Sequence, residues 1–171
     1  MVRCWAMAPT KHNMTLREAE FEGATFDERW GYDLRHGVIS IGFDVGAIPD
    51  DRAHLAQLWD ETAVEELGNR TIALRMLGYF WFDIQPGDVV VARAGVNQYV
   101  GYGVFQGEPW YDENAYGDGG IRNYYSFRHV DWAPISGRRR TSLVRFSRNT
   151  LYPITEDKVA RFRGLPDFPM R

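Results

Sequence analysis

Cysteine is almost missing from this sequence: Cys4 stands alone, so no internal disulfide can form and no zinc site can be built on cysteines. Nothing marks an oxidising compartment. Long apolar runs are missing as well. No stretch approaches the roughly 18 residues a membrane-spanning helix needs, and the opening MVRCWAMAPTKHN carries no signal-peptide apolar core. An intracellular, cytoplasmic protein that neither enters nor crosses a membrane is therefore expected. Net charge is small, −3 at pH 7, which argues against a broad, non-specific basic coat for nucleic acid. Internal repeats, low-complexity tracts and Pro/Gly/Ser linkers are absent, so residues 1–171 are read as one domain with a core of its own. His12, His36, His54 and His129 lack the i, i+4 pairing of a helix-borne zinc site. No metal or other cofactor is expected.

What the chain has in abundance is aromatic residues, 15% of the whole, and they are concentrated. GDVVVARAGVNQYVGYGVF, from Gly87, reads as a buried hairpin, and the EPWYDENAYGDGGIRNYYSFRHVDW that follows packs rings at loop density. A loop cannot bury so many rings against itself, so some are expected to face a ligand.

The remaining pattern predicts a first strand over VRCWAMA with Trp5 pointing inward, a short helical turn over Thr25–Trp30, and a β-branched strand over Val38–Phe43. Acidic residues at Asp50-Asp51 open a helix carrying Leu55, Leu58 and Trp59. A second helix begins near Asn69 with Ile72, Met76, Leu77 and Phe80 on one face. Val89–Ala92 is apolar on both faces and so central in a sheet. Its return, Tyr99–Phe105, has Gly101 and Gly103 at alternate positions, which leaves space for a bend or for close approach by another group. Strands over Tyr125–Trp132 and Ser142–Arg145 follow, then a closing helix over Thr155–Phe162 begun by Thr155. The fold class expected is α+β, a small, mixed, mainly antiparallel barrel with flanking helices.

Four segments in this order carry a resemblance: WAMAP, Trp30 followed by GVISIGF, IQPGDVVVARAG with its return VGYGVFQG, and the aromatic stretch ending in YYSFRHVDW. Together they resemble the PUA-like superfamily that includes the EVE and YTH domains, and most of all the EVE/YTH-like modules at the front of modification-dependent restriction proteins of the McrB type. The resemblance implies a PUA-like pseudo-barrel that is not an enzyme. Its pocket would accept one flipped, methylated base, N6-methyladenine or 5-methyl- or 5-hydroxymethylcytosine, between aromatic side chains. The partner implied is modified DNA, in a restriction or defence system that can include an effector domain or subunit. Phe43 stands where related modules often carry Trp, and Thr10 where Gly is common.

The candidate walls of that pocket are Trp30, Phe43, Trp110 and Tyr111, with Ser40 and Asp44 as polar groups reading the base edge. Trp30 and Phe43 have the alternative of simply capping the barrel, and Trp5, Trp59 and Trp132 are assigned to core. Arg138, Arg139 and Arg140 form a basic loop able to grip phosphates, which Lys11, His12, Asn13 and Arg93 could extend; the bland alternative is a solvated turn. Other readings stay open: a reader of modified RNA on the same fold, a small nucleotide- or sugar-acting enzyme using Asp112, Glu113 and Asp118, or a protein-interaction module.

Overall fold

The structure is a computed structural model describing residues 2–10, 24–43, 45–62, 69–114, 124–133, 139–140, 144–165 and 168–169, with the backbone alone at 139–140. Strand β1 (Cys4–Met7) is buried throughout. Helix α1 (Phe26–His36) is longer than the single turn expected, because both of its ends are capped. Thr25 and Glu28 form a reciprocal capping box, and Gly37 closes the other end in the left-handed conformation at φ 62°. Strand β2 (Val38–Ile41) follows at once.

Helix α2 (Arg52–Thr62) and helix α3 (Arg70–Gly78) form a pair. The Asn69 side chain accepts a hydrogen bond from the Ile72 amide at the start of α3, and Arg70 forks onto Asp60 of α2 through two 2.7 Å bonds. α3 then widens into a π-helical turn, Tyr79–Asp83. Strands β3 (Val89–Ala94), β4 (Gln98–Tyr111), β5 (Ser126–Trp132), β6 (Arg139–Arg140) and β7 (Leu151–Pro153) complete the sheet, and α4 (Glu156–Phe162) packs on it. Thr155 stands at the N-cap of α4 as expected, but its side chain makes no cap hydrogen bond.

The strands run in the order β2-β5-β4-β3-β1-β7, with β6 on β4. β1 and β3 are parallel, from Cys4 opposite Val89 to Met7 opposite Ala92, and the other described pairings are antiparallel. The fold is thus α+β with a mostly antiparallel sheet. Two details differ from expectation. Val144 and Arg145 carry no strand, the rest of the expected 142–145 strand lying outside the described residues, and the pairing is made instead by β6 and β7. β4 does not stop at Phe105 but continues to Tyr111 past an irregularity at Gln106–Trp110, where Gly107 takes φ 60°. Trp110 and Tyr111 are therefore strand residues and not loop residues, since their backbones pair with Phe127 and Ser126.

Both faces of β1 and β3 are covered, as the unbroken apolar run at Val89–Ala92 requires. On one face Trp5, Met7 and Val90 join Ile39, Ile41, Phe105, Val130 and Leu151, together with Trp59, Leu77 and Phe80 from the helical pair. On the other, Cys4, Ala6, Val89 and Val91 meet Phe146, Val159 and Phe162. The first cluster holds residues from β2 and from β7, the two ends of the strand order, so the sheet curls around it. Trp5 is anchored by donating Nε1–H to the buried Asp88 carboxylate at 2.9 Å.

Candidate functional site

The curl brings together chain segments that the strand order keeps apart. Tyr124, just before β5, donates its hydroxyl to Thr10 Oγ1, just after β1, at 3.1 Å. Its ring lies over Gly42, where an added Cβ would stand 3.3 Å from Tyr124 Cζ. On the ring's face sits the Arg29 guanidinium, 3.7 Å from the centroid, a cation–π contact in a buried setting. Arg29 Nη1 also donates to Ser40 Oγ at 3.0 Å. Tyr124 is thus a pillar that fixes the tail of β1, the end of β2 and helix α1 against one another.

Beyond Gly42, Phe43 takes φ 69°, the sole non-glycine positive φ among the described residues. A side chain in this region costs about 1–2 kcal/mol, and such strain collects at functional sites. The Phe43 ring is half-buried against the main core, 6.1 Å from Trp59. Tyr111 is half-buried against the same core and lies edge-on to Tyr125 at 6.0 Å. Ile41, Ser126 and Tyr111 form one cross-strand row, so Phe43 and Tyr111 lie at the same rim.

The four expected wall rings do not converge. Trp30 is buried over Gly101, among Phe26, Ala92, Ala94 and Val100, and edge-on to Trp132 at 4.8 Å. It is a core residue, and Gly101 makes the close approach that the glycine spacing suggested. Trp110 points to the face opposite Tyr111, as alternate strand residues must, and stacks on His129 at 4.3 Å and on Phe127 at 5.5 Å. Ser40 is buried and engaged by Arg29, so it supports the site's frame. Of the core assignments, Trp5 and Trp59 are buried, while Trp132 is half-buried and donates Nε1–H to the Val38 carbonyl.

Arg93 requires a correction as a phosphate contact. It is buried and donates Nη1 to the Gly95 carbonyl at 2.7 Å and Nη2 to the Asn149 carbonyl, so its donors tie the β3–β4 hairpin to the segment before β7. Asp44, Lys11, His12, Asn13, Arg138 and Asp118 lie outside the described residues, and Arg139 and Arg140 are placed only as the backbone of β6 opposite Gln98 and Tyr99. Asp112, half-buried, accepts the Asn114 amide in a local turn.

Four buried charges escaped the sequence reading: Arg29, Asp33, Asp88 and Arg128. Asp33 lies one helical turn beyond Arg29, and burial drives its carboxyl well above the usual carboxylate range, opposed by the nearby Arg29 charge. The Tyr32 phenol is raised too, by burial and by the charges of Asp33 and Asp112. Arg128 donates Nε–H to the Phe80 carbonyl of the π-helical turn at 2.7 Å, and burial lowers its guanidinium to about 10. The i, i+4 spacing of Arg29 and Asp33 resembles an ordinary surface pair.

A family model described as "Domain of unknown function (DUF8426)" matches residues 18–155. The chain belongs to that family. The DUF8426 match takes in α1, β2 and Tyr124 and leaves out β1 and Thr10. No curated protein matches the chain. Among the described residues, no helix is long and apolar enough to cross a membrane, and no group of three or more His, Cys, Asp or Glu could hold a metal ion.

Proposed function

We propose that this protein is a non-catalytic reader of modified DNA on a PUA-like pseudo-barrel, accepting one flipped, methylated base at the rim formed by Phe43 and Tyr111. The observation that carries the reading is Phe43: an aromatic residue held in a left-handed backbone conformation, next to the Gly42 over which Tyr124 lies, with its ring half-buried against the core beside Trp59. A strained residue is kept when its side chain has work at that spot. Extruding a base costs a few kcal/mol, and stacking on a protein ring returns about 1–3 kcal/mol, so two rings at one rim suffice. A methyl group adds apolar surface that such rings desolvate favourably.

The sequence resemblance supports the same reading, and with it a place in a modification-dependent restriction or defence system with an effector domain or subunit. The basic run of Arg138, Arg139 and Arg140 is the candidate phosphate grip. Phosphate contacts would set the register, and the rim would set specificity. Fluorescence-anisotropy titration tests this with otherwise identical duplexes carrying no modification, N6-methyladenine, 5-methylcytosine or 5-hydroxymethylcytosine. Preference for one modified duplex by about tenfold, or 1.4 kcal/mol, is expected. Equal binding to all four, or tighter binding to a matched modified RNA, would overturn the DNA assignment.

A further inference from the structure

Arg128 is fully buried, and its Nη1 and Nη2 have no hydrogen-bond partner among the described residues. Burying a cation costs several kcal/mol, and the Glu108 and Asp88 charges that favour this one make no hydrogen bond to its Nη groups, so a guanidinium with two idle Nη groups calls for a reason. Its position supplies one. Along β5, Arg128 follows Ser126 on the same face, about 6.8 Å further on at the usual strand rise. Ser126 lies in the row that joins Ile41 to Tyr111, so Arg128 sits one row beneath the rim. The Nε–H bond to the Phe80 carbonyl and the Phe80 and Phe105 rings, 5.6 and 5.9 Å from Cζ, fix the plane of the group and leave the two Nη groups as its working end. Opposite Arg128, β4 leaves the ladder at Gly107–Pro109, the sort of irregularity that re-aims chains beside a site.

Resting on the base-reading proposal above, we infer that Arg128 is the specificity-determining residue of the pocket. Its two Nη groups select a base with two adjacent acceptors, N3 and O2 of cytosine or N7 and O6 of guanine. Adenine is disfavoured, because each ring acceptor on its N6 side adjoins the amino donor. The substrate class is therefore 5-substituted cytosine and not N6-methyladenine. The methyl group of 5-methylcytosine lies away from N3 and O2, free to meet the rim rings. The base enters between Phe43 and Tyr111, both half-buried.

The test compares wild type, Arg128→Met and Arg128→Lys by anisotropy on duplexes that differ only in carrying one 5-methylcytosine or one N6-methyladenine, with a thermal melt of each protein. Wild type is expected to favour 5-methylcytosine by tenfold or more, within the range of about 1–3 kcal/mol for a bidentate pair. Arg128→Met, apolar and of similar length, is expected to melt as a folded protein and to lose that ratio. Arg128→Lys, which keeps the charge but not the parallel donors, is expected to lose it too and serves if Arg128→Met does not fold. A merely structural Arg128 would lower affinity for both duplexes alike, and that result overturns the inference. So does a wild-type preference for N6-methyladenine, which would leave the reader itself standing. Binding to neither duplex removes the reader and the inference together.

Discussion

A methyl group added at Gly101 would stand 2.6 Å from Cζ2 of Trp30, far inside van der Waals contact, and Trp30 is enclosed on its other sides. Gly101→Ala is therefore expected to cost about 1–3 kcal/mol, read as a lowered melting temperature. Asp33 makes a different residue-scale prediction. Its folded-state carboxyl is raised above the ordinary value of 3.8, so the stability that goes with its neutral form is fully present below that value and is lost as pH rises through the raised one. Asn has the same shape and no charge to bury. Asp33→Asn should melt close to wild type in acid and increasingly above it toward neutral and alkaline pH, with Arg29 and Tyr32 the nearest charged and titratable neighbours. A stability difference that does not vary with pH would sink this account. At Cys4, burial pushes the thiol up to about 12, so it has almost no thiolate to offer an alkylating reagent in the folded protein.

At the scale of elements, α3 depends on the Asn69 side chain for its first turn, and Asn69→Ala is expected to lower stability by about 1 kcal/mol in chemical denaturation. Asn69 was readable as a helix start because residue type and apolar spacing agreed there. Val89–Ala94 was readable as a doubly covered strand for the same reason. β4 was harder to read. Gly107 and Pro109 are turn residues by habit, and only the pairing of Trp110 with Phe127 beyond them makes the segment a strand. The π-helical turn at Tyr79–Asp83 leaves no local mark, and neither does the parallel pairing of β1 with β3, which is a long-range choice. Among the site residues, Phe43 and Tyr111 were readable as aromatics near Gly and Asp. Arg29 and Arg128 were not, because a single charge on a helix or strand carries no sign of being turned inward.

Across the whole molecule, the buried Arg93 binds two regions, and its loss should be felt as stability. Hydrogen bonds from a charged donor contribute about 1.5–3 kcal/mol, so Arg93→Met is expected to lower the unfolding free energy by an amount of that order. The salt dependence of nucleic-acid binding, which counts phosphate contacts, should stay unchanged. A smaller salt slope in that variant would return Arg93 to the phosphate-binding surface. The family match ends at residue 155, just before α4, yet Val159 and Phe162 of α4 close the second face of β1 and β3.

The strand order also sets a timetable for synthesis. Cys4–Met7 has two sheet neighbours, Val89–Ala92 and Leu151–Pro153. Neither has been translated when the first strand leaves the ribosome, and at about 5–20 residues per second the wait for β3 lasts several seconds. Through that interval a segment destined for complete burial has no edge to join, while α1 with β2 and α2 with α3 can form from neighbouring sequence. The strand made first is among the last to be enclosed.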